Sequence, residues 1–355
     1  LTPLRKALDR WLGRGDASIT TPPMDGAFRP NDLLDAAPSV LETPEPDDLA
    51  ITSQGLVVSS GRRLLRLDKS TVAAFDADIT ALAGLPDGGV AAGLADGRIA
   101  FVGGTRNSET IAAHAEVGCI TALAAARDGA LLVANGSTSH RPADWKRDLM
   151  AKNASGSVWR LDPETGTRAR LAAGLAYPLG LLEERDGIVV SESWRAALTR
   201  ISPGGAARPA LEDLPAYPSR LSRGADGAIW LALFAPRSQL VEFVLSEDAY
   251  RRRMVDEIDP DFWVAPCLRS AKSPFEPTQQ GGVKQLGVLK PWSPTRSYGL
   301  IARLDSALRP IASLHSRANG KRHGVTACLA WNGRLYFAAR GDGIVAASAY
   351  EDLTP

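Results

Sequence analysis

The chain predicts an all-β fold, a six-bladed β-propeller, on three observations. Six tight-turn dipeptides recur along its 355 residues, three short apolar stretches repeat around them, and the 33 glycines and 24 prolines are scattered throughout. The turns are Gln54-Gly55, Asp87-Gly88, Asp128-Gly129, Asp186-Gly187, Asp226-Gly227 and Asn332-Gly333. Asp-Gly and Asn-Gly supply the positive φ angles of a tight hairpin, and each pair lies between two apolar runs. Successive turn glycines are 33, 41, 58, 40 and 106 residues apart. That is the spacing of four-stranded blades, with two repeats lengthened by insertions.

The stretches before the turns resemble one another and read as inner strands: DLAITS from Asp48, ITALAGL from Ile79, ITALAAA from Ile120, LGLLEE from Leu179, SRLSRG from Ser219 and VTACLA from Val325. Second strands follow the turns, rich in small residues where blades converge. Third strands recur as RLLRLD, GRIAFV, SVWRLD, ALTRIS, LIARLD and GIVAAS, three of them sharing Arg-Leu-Asp at 66–68, 160–162 and 303–305. A β-sandwich or a pair of small β-domains would also contain Asp-Gly hairpins, but the shared third strand weighs against both. The sixth repeat ends at Ser348 after three strands, so the N-terminal region is expected to supply the outer strand, with Leu33 and its neighbours as candidates.

Residues 47–355 therefore read as the propeller, with 235–298 as a cap insertion, and residues 1–46 as an N-terminal helix and extended arm. Residues 3–14 put Leu4, Leu8, Trp11 and Leu12 on one helical face with Arg5, Lys6 and Arg10 elsewhere. Such a stripe packs on the protein's own body or makes a peripheral membrane contact.

Composition narrows the function classes. A formal net charge of +1 gives no electrostatic footprint for nucleic acid. Cys119, Cys267 and Cys328 are odd in number and far apart, which fits neither a disulfide framework nor a zinc site. No apolar run reaches the ~18 residues of a membrane span. The first residue is Leu1, so the expectation is a soluble chain, cytoplasmic, or periplasmic or secreted after loss of an upstream segment. No G-x-S-x-G, H-E-x-x-H or phosphate-binding glycine loop occurs.

In a propeller the starts of inner strands and the ends of second strands share one face. Asp47, Asp48, Ser219, Arg220, His323 and Thr326 fall at or beside strand starts, and Asn135, Ser137, Glu192, Trp194, Phe234 and Arg340 at second-strand ends. The insertions 137–155 and 235–298 hang from the same face, and long loops of this kind are usually functional. The larger one carries Tyr250, Phe262, Trp263, Phe275 and Trp292, enough apolar surface to fold over the tunnel mouth.

Acid–base chemistry on that rim falls to Asp47, Asp48, Glu192 and His323, the candidate catalytic residues. A carboxylate in a dry pocket is pushed toward neutrality, and His serves as a general base near pH 7. Each also has a structural reading: Asp48 capping amides at a strand start, Glu192 pairing with Arg195 or Arg220, His323 in a basic turn. The candidate ligand-binding residues are Asn135, Ser137, Trp194, Ser219, Arg220, Phe234, Thr326 and Arg340, with Arg220 favouring an anionic oxygen on the ligand.

Residues 132–166, LVANGSTSHRPADWKRDLMAKNASGSVWRLDPETG, resemble the strictosidine synthase-like proteins, and more distantly the gluconolactonase, regucalcin and paraoxonase propellers. PEPDDLA from Pro44, AYPLGLLEERDGIVVSES and AYPSRLSRGADGAIWLA are similar to the same group in blades one, four and five. For the hydrolytic members the resemblance implies a calcium ion held by strand-start oxygens. Here those positions read Asp47, Asn135, Leu179 and Ser219-Arg220, and an aliphatic group and a cation disfavour the metal. No cofactor is therefore expected. The catalytic Glu that the resemblance to strictosidine synthase implies falls near Thr326, which cannot shuttle its proton; His323 matches a family His. The expected function is a small-molecule enzyme, hydrolase-like (lactone or ester) or lyase-like, with its pocket at the tunnel mouth. The alternative is a non-catalytic propeller that binds a small ligand or a protein partner through the same face.

Overall fold

A computed structural model describes residues 21–350 apart from 271, 274, 278–282, 286–287 and 291–295. The expectations for residues 3–14 and for Trp292 lie outside the described residues. Six four-stranded antiparallel sheets form the blades. Their inner strands are Pro46–Thr52, Ile79–Gly84, Ile120–Ala125, Pro178–Glu184, Ala216–Arg223 and Val325–Trp331, each touching the next and the last touching the first. This closed ring is a six-bladed β-propeller.

Local chemistry accounts for the repeat. The turn glycines Gly88, Gly129, Gly227 and Gly333 all have φ between 70° and 87°, a region only glycine enters freely. Asp87, Asp128 and Asp226 each accept from the amide two residues on, as Asx turns do. Arg-Leu-Asp now has a reason. The Arg reaches back to the turn of its own blade, Arg66 to Gln54, Arg160 to Asp128 and Arg303 to Asp226. The Asp turns the third strand into the fourth, Asp68, Asp162 and Asp305 accepting the amides of Ser70, Glu164 and Ala307. The two ion pairs, Arg160–Asp128 and Arg303–Asp226, contribute at most about 1 kcal/mol each, so these contacts set register more than stability.

Around the tunnel, hydroxyls tie blade to blade. Thr121 donates to Pro178 O, Ser191 to Ser219 O, Ser219 to Thr326 O and Thr326 to Asp47 O, joining blades 3 through 6 and back to 1. The Leu82 amide donates to Asp48 Oδ2 at 2.7 Å and so links blade 2 to blade 1. At Gly180 blades 4 and 5 come so close that a Cβ would stand 2.4 Å from Ser219 O.

The ring closes through the N-terminal region, but not through Leu33. Ser39–Glu42 pairs antiparallel with Ile344–Ala346 as the outer strand of blade 6. Leu33 instead opens a one-turn helix, α1 (Leu33–Ala36), started by Asn31 Oδ1 accepting the Leu33 amide. Leu34 is buried with Trp230, Leu314 and Phe337, so α1 wedges between blades 5 and 6.

Both insertions sit between second and third strands. The first carries α2 (Trp145–Met150); the second carries α3 (Gln239–Ser246), capped by Ser238 Oγ, and α4 (Asp248–Glu257). They pack together: Leu149, Met150, Val244, Met254 and Trp263 form one buried cluster with Tyr217 and Phe234 of blade 5. No helix among the described residues is long and apolar enough to cross a membrane.

Leu41 is 2 % exposed in the closing strand. Leu41→Ala should cost about 3 kcal/mol, as leucine truncation in a packed core does, and hydrogen exchange should show blade 6 opening first. An unchanged denaturation midpoint would mean that this strand does not close the ring.

Candidate functional site

At the mouth of the tunnel, under the two insertions, lies a cavity of about 350 Å³. Its floor is built from the starts of inner strands, where Asp47, Thr80, Thr121, Arg220 and Thr326 meet. One wall is aromatic, formed by Trp145, Tyr177, Trp194 and Phe234; the opposite rim carries Glu45, Asp78 and Arg340.

Arg220 is 7 % exposed and lies where the inner strands converge. Its Nη1 donates to the carbonyls of Asp47 and Thr326 at 3.1 and 3.4 Å. Its Nη2 donates to Asp47 Oδ2 at 2.8 Å and to the carbonyls of Thr80 and Thr121 at 2.6 and 3.4 Å. Nε stands 2.9 Å from Asp48 Oδ2, an ion contact without hydrogen-bond alignment. A guanidinium has five N–H groups; here the four on Nη1 and Nη2 are engaged by protein oxygens, and the fifth, on Nε, is buried beside Asp48. Arg220 was expected to read an anionic ligand; it presents no free donor to the cavity.

Two carboxylates share this cation unequally. Burial alone would raise Asp47, but Arg220 and Arg340 outweigh it and hold the carboxyl below its ordinary range. Burial dominates at Asp48 and raises it, against the pull of Arg220 and the amides of Leu82 and Leu49. Asp48 thus caps amides beneath the floor. Arg340 bridges Asp47 Oδ1 at 3.0 Å and Glu45 at 3.6 Å, at the rim and 35 % exposed along its side chain.

The aromatic wall is held from behind. Trp194 stacks on Tyr177 with centroids 4.5 Å apart and faces Trp145 at 6.2 Å. Its indole N–H donates to Asp148 Oδ1 at 2.7 Å, and Asp148, fully buried, also accepts from Asn153. Tyr177 has φ +56°, a left-handed conformation that costs a bulky residue ~1–3 kcal/mol. Glu192 pins that turn: its Oε2 accepts the Ala176 amide at 2.7 Å, while Arg195 and Thr199 hold the carboxylate. The Tyr177 hydroxyl has no hydrogen-bond partner among the described residues, and burial keeps it protonated far above its ordinary range.

Of the residues singled out in the sequence, Asp47, Trp194, Arg220, Phe234, Thr326 and Arg340 line the cavity. Asp48, Asn135, Ser137, Glu192, Ser219 and His323 do not. Asn135 accepts the Cys119 amide and donates to Ser137 O, and Ser137 Oγ gathers the amides of Ser139 and His140. His323 is buried, with Nε2 against Arg317 O at 2.7 Å and Nδ1 against Ser297 Oγ at 2.8 Å; burial lowers its pKa. Sequence reasoning passed over Trp145, Tyr177 and Asp148. The repeated Ala-Tyr-Pro at 176–178 and 216–218 was the signal for Tyr177, since both copies sit at the starts of inner strands.

The calcium ion implied by the family resemblance does not fit these residues. The carbonyls and carboxylates that would ligate it already face the Arg220 guanidinium, and Leu179 offers no side-chain oxygen. Among the described residues no cluster of three His, Cys, Asp or Glu side chains is arranged for a metal.

No protein-family model matches the chain, and no curated protein matches its sequence significantly. Solved structures do match its fold. A gluconolactonase from Xanthomonas campestris is similar over 87 % of both chains, at 14 % identity and a TM-score of 0.53. A chain of a nidogen–laminin complex is similar over 86 % of this chain and 89 % of its own, at 12 % identity and a TM-score of 0.51. For a luciferin-regenerating enzyme the shares are 87 % and 91 %, at 12 % identity and a TM-score of 0.50. This chain shares with them the propeller fold.

Proposed function

We propose that the chain is a small-molecule enzyme of the strictosidine synthase-like propeller group, hydrolase-like or lyase-like, working without a tunnel metal. The observation that carries this reading is the cavity, where an unpartnered Tyr177 hydroxyl and the Arg340 guanidinium share a pocket with a four-ring aromatic wall. About 350 Å³ lies in the range of small-molecule pockets. Such a wall suits a flat, largely apolar substrate. A carbonyl or ring oxygen of that substrate would meet Tyr177 and Arg340, two donors able to stabilise negative charge as it develops. Asp47, held ionised between two arginines, orients Arg340 rather than removing protons. The gluconolactonase whose fold this chain shares makes a lactone the substrate to try first. Strictosidine synthase chemistry itself is disfavoured, because the Thr326 hydroxyl donates to Asp47 O and has no proton-shuttling role.

A non-catalytic, ligand-binding propeller is the second reading. It is favoured by a cavity lining that contains no His, Cys, Ser or Lys among the described residues.

Turnover of a lactone and aryl-ester panel in the presence of a chelator, with binding followed by Trp145 and Trp194 fluorescence, separates the two. The enzyme reading expects chelator-resistant turnover that falls about 100-fold in kcat/KM in Tyr177→Phe, with affinity changed far less. Binding without turnover of any panel member would favour the second reading. Turnover abolished by the chelator would contradict the metal-free site.

A further inference from the structure

Six oxygens from five residues converge on one guanidinium at the propeller axis. They are the carbonyls of Asp47, Thr80, Thr121 and Thr326 and the Oδ2 atoms of Asp47 and Asp48, at 2.6 to 3.4 Å from Arg220 nitrogens. The carbonyls belong to the inner strands of blades 1, 2, 3 and 6, whose positions are set by the closed ring, whereas Arg220 comes from blade 5. The four carbonyl oxygens are therefore placed by the fold and persist without the arginine, while Arg340 still holds Asp47 and the Leu49 and Leu82 amides still hold Asp48. Roughly six to eight such oxygens, carboxylates included, make the ligand set of a hard divalent cation.

We infer that the propeller axis is a cation site which the chain fills with its own side chain, Arg220 acting as a tethered counter-ion. Shortening that side chain uncovers a site for a free cation: the guanidinium ion, which matches the lost donors, or a divalent ion such as calcium, which matches the oxygen set. The site forms the floor of the cavity and shares Asp47 with Arg340, but its test reads cation binding and melting rather than turnover, so this inference stands whether or not the cavity catalyses a reaction.

The test is thermal melting and calorimetric titration of the full chain as wild type, Arg220→Ala and Arg220→Lys, with calcium chloride, guanidinium chloride or sodium chloride at matched, millimolar ionic strength. Arg220→Ala should melt below wild type and regain roughly 5 °C with saturating calcium or guanidinium, but nothing with sodium. Calcium should bind it at one equivalent. Wild type should respond to neither cation, and Arg220→Lys, which keeps a tethered charge, should not bind calcium. If Arg220→Ala does not fold unaided, recovery of native tryptophan fluorescence on refolding with calcium or guanidinium, but not sodium, supports the inference. It is overturned if the alanine variant ignores both cations in melting and refolding, or if wild type or the lysine variant binds calcium as the alanine variant does.

Discussion

A ring of inner strands that all begin at one face of a tunnel turns their backbone carbonyls toward a shared axis, and something positive must meet them. In this chain it is Arg220. Buried polar groups are tolerated only when paired, and a buried charge only when it is both paired and hydrogen-bonded. Asp47 and Asp48 provide the charge, and the carbonyls of Asp47, Thr80, Thr121 and Thr326 accept from Nη1 and Nη2. Removing one member of such a cluster costs about 3–5 kcal/mol, because the others are left buried and uncompensated. Five blades are thereby tied to one side chain, over and above the hydroxyl-to-carbonyl bonds that link neighbours. Arg220 also divides the bore, lining both the mouth cavity and an apolar chamber of about 600 Å³ on the far side.

What lies above that floor depends on the insertions. Without α2 and the segment around Trp263 and Leu268 the tunnel mouth would be open. With them, Trp145 completes the aromatic wall and Asp148 anchors Trp194. Glu192, which looked catalytic from its position, works one layer back, holding the strained turn that aims Tyr177 at the cavity. The described lining holds no His, Cys, Ser or Lys; its carboxylates are Asp47, held by Arg220 and Arg340, and Glu45 and Asp78 on the rim.

The blades were legible because their signals are local: a turn Asp and Gly, an Arg reaching back two strands, an Asp starting the next turn. The face of the site was legible too, since strand direction alone determines which ends share a rim. Residue roles were less so. A strand-end position does not say whether a side chain points to the tunnel or to a neighbouring loop, which is why Asn135, Ser137 and Glu192 fall behind the cavity. His323 is adjacent to the inner strand but turns into a packed niche with Tyr298 and Ser297. The outer strand of blade 6 was sought at Leu33, where the apolar pair Leu33-Leu34 stands out; Ser39–Glu42 has only Val40 and Leu41 to mark it. Arg220 could be seen as incompatible with calcium from the sequence. That its Nη donors are spent on protein oxygens and its Nε is buried could be read only from the distances.

The most direct test of this account is elemental analysis of wild-type protein purified without chelator, alongside a crystal structure at a resolution that shows the Arg220 guanidinium. The account predicts far less than one equivalent of calcium or any other divalent metal, with the guanidinium planar among the four carbonyls. One equivalent of calcium at the axis, with Arg220 turned away, would contradict it.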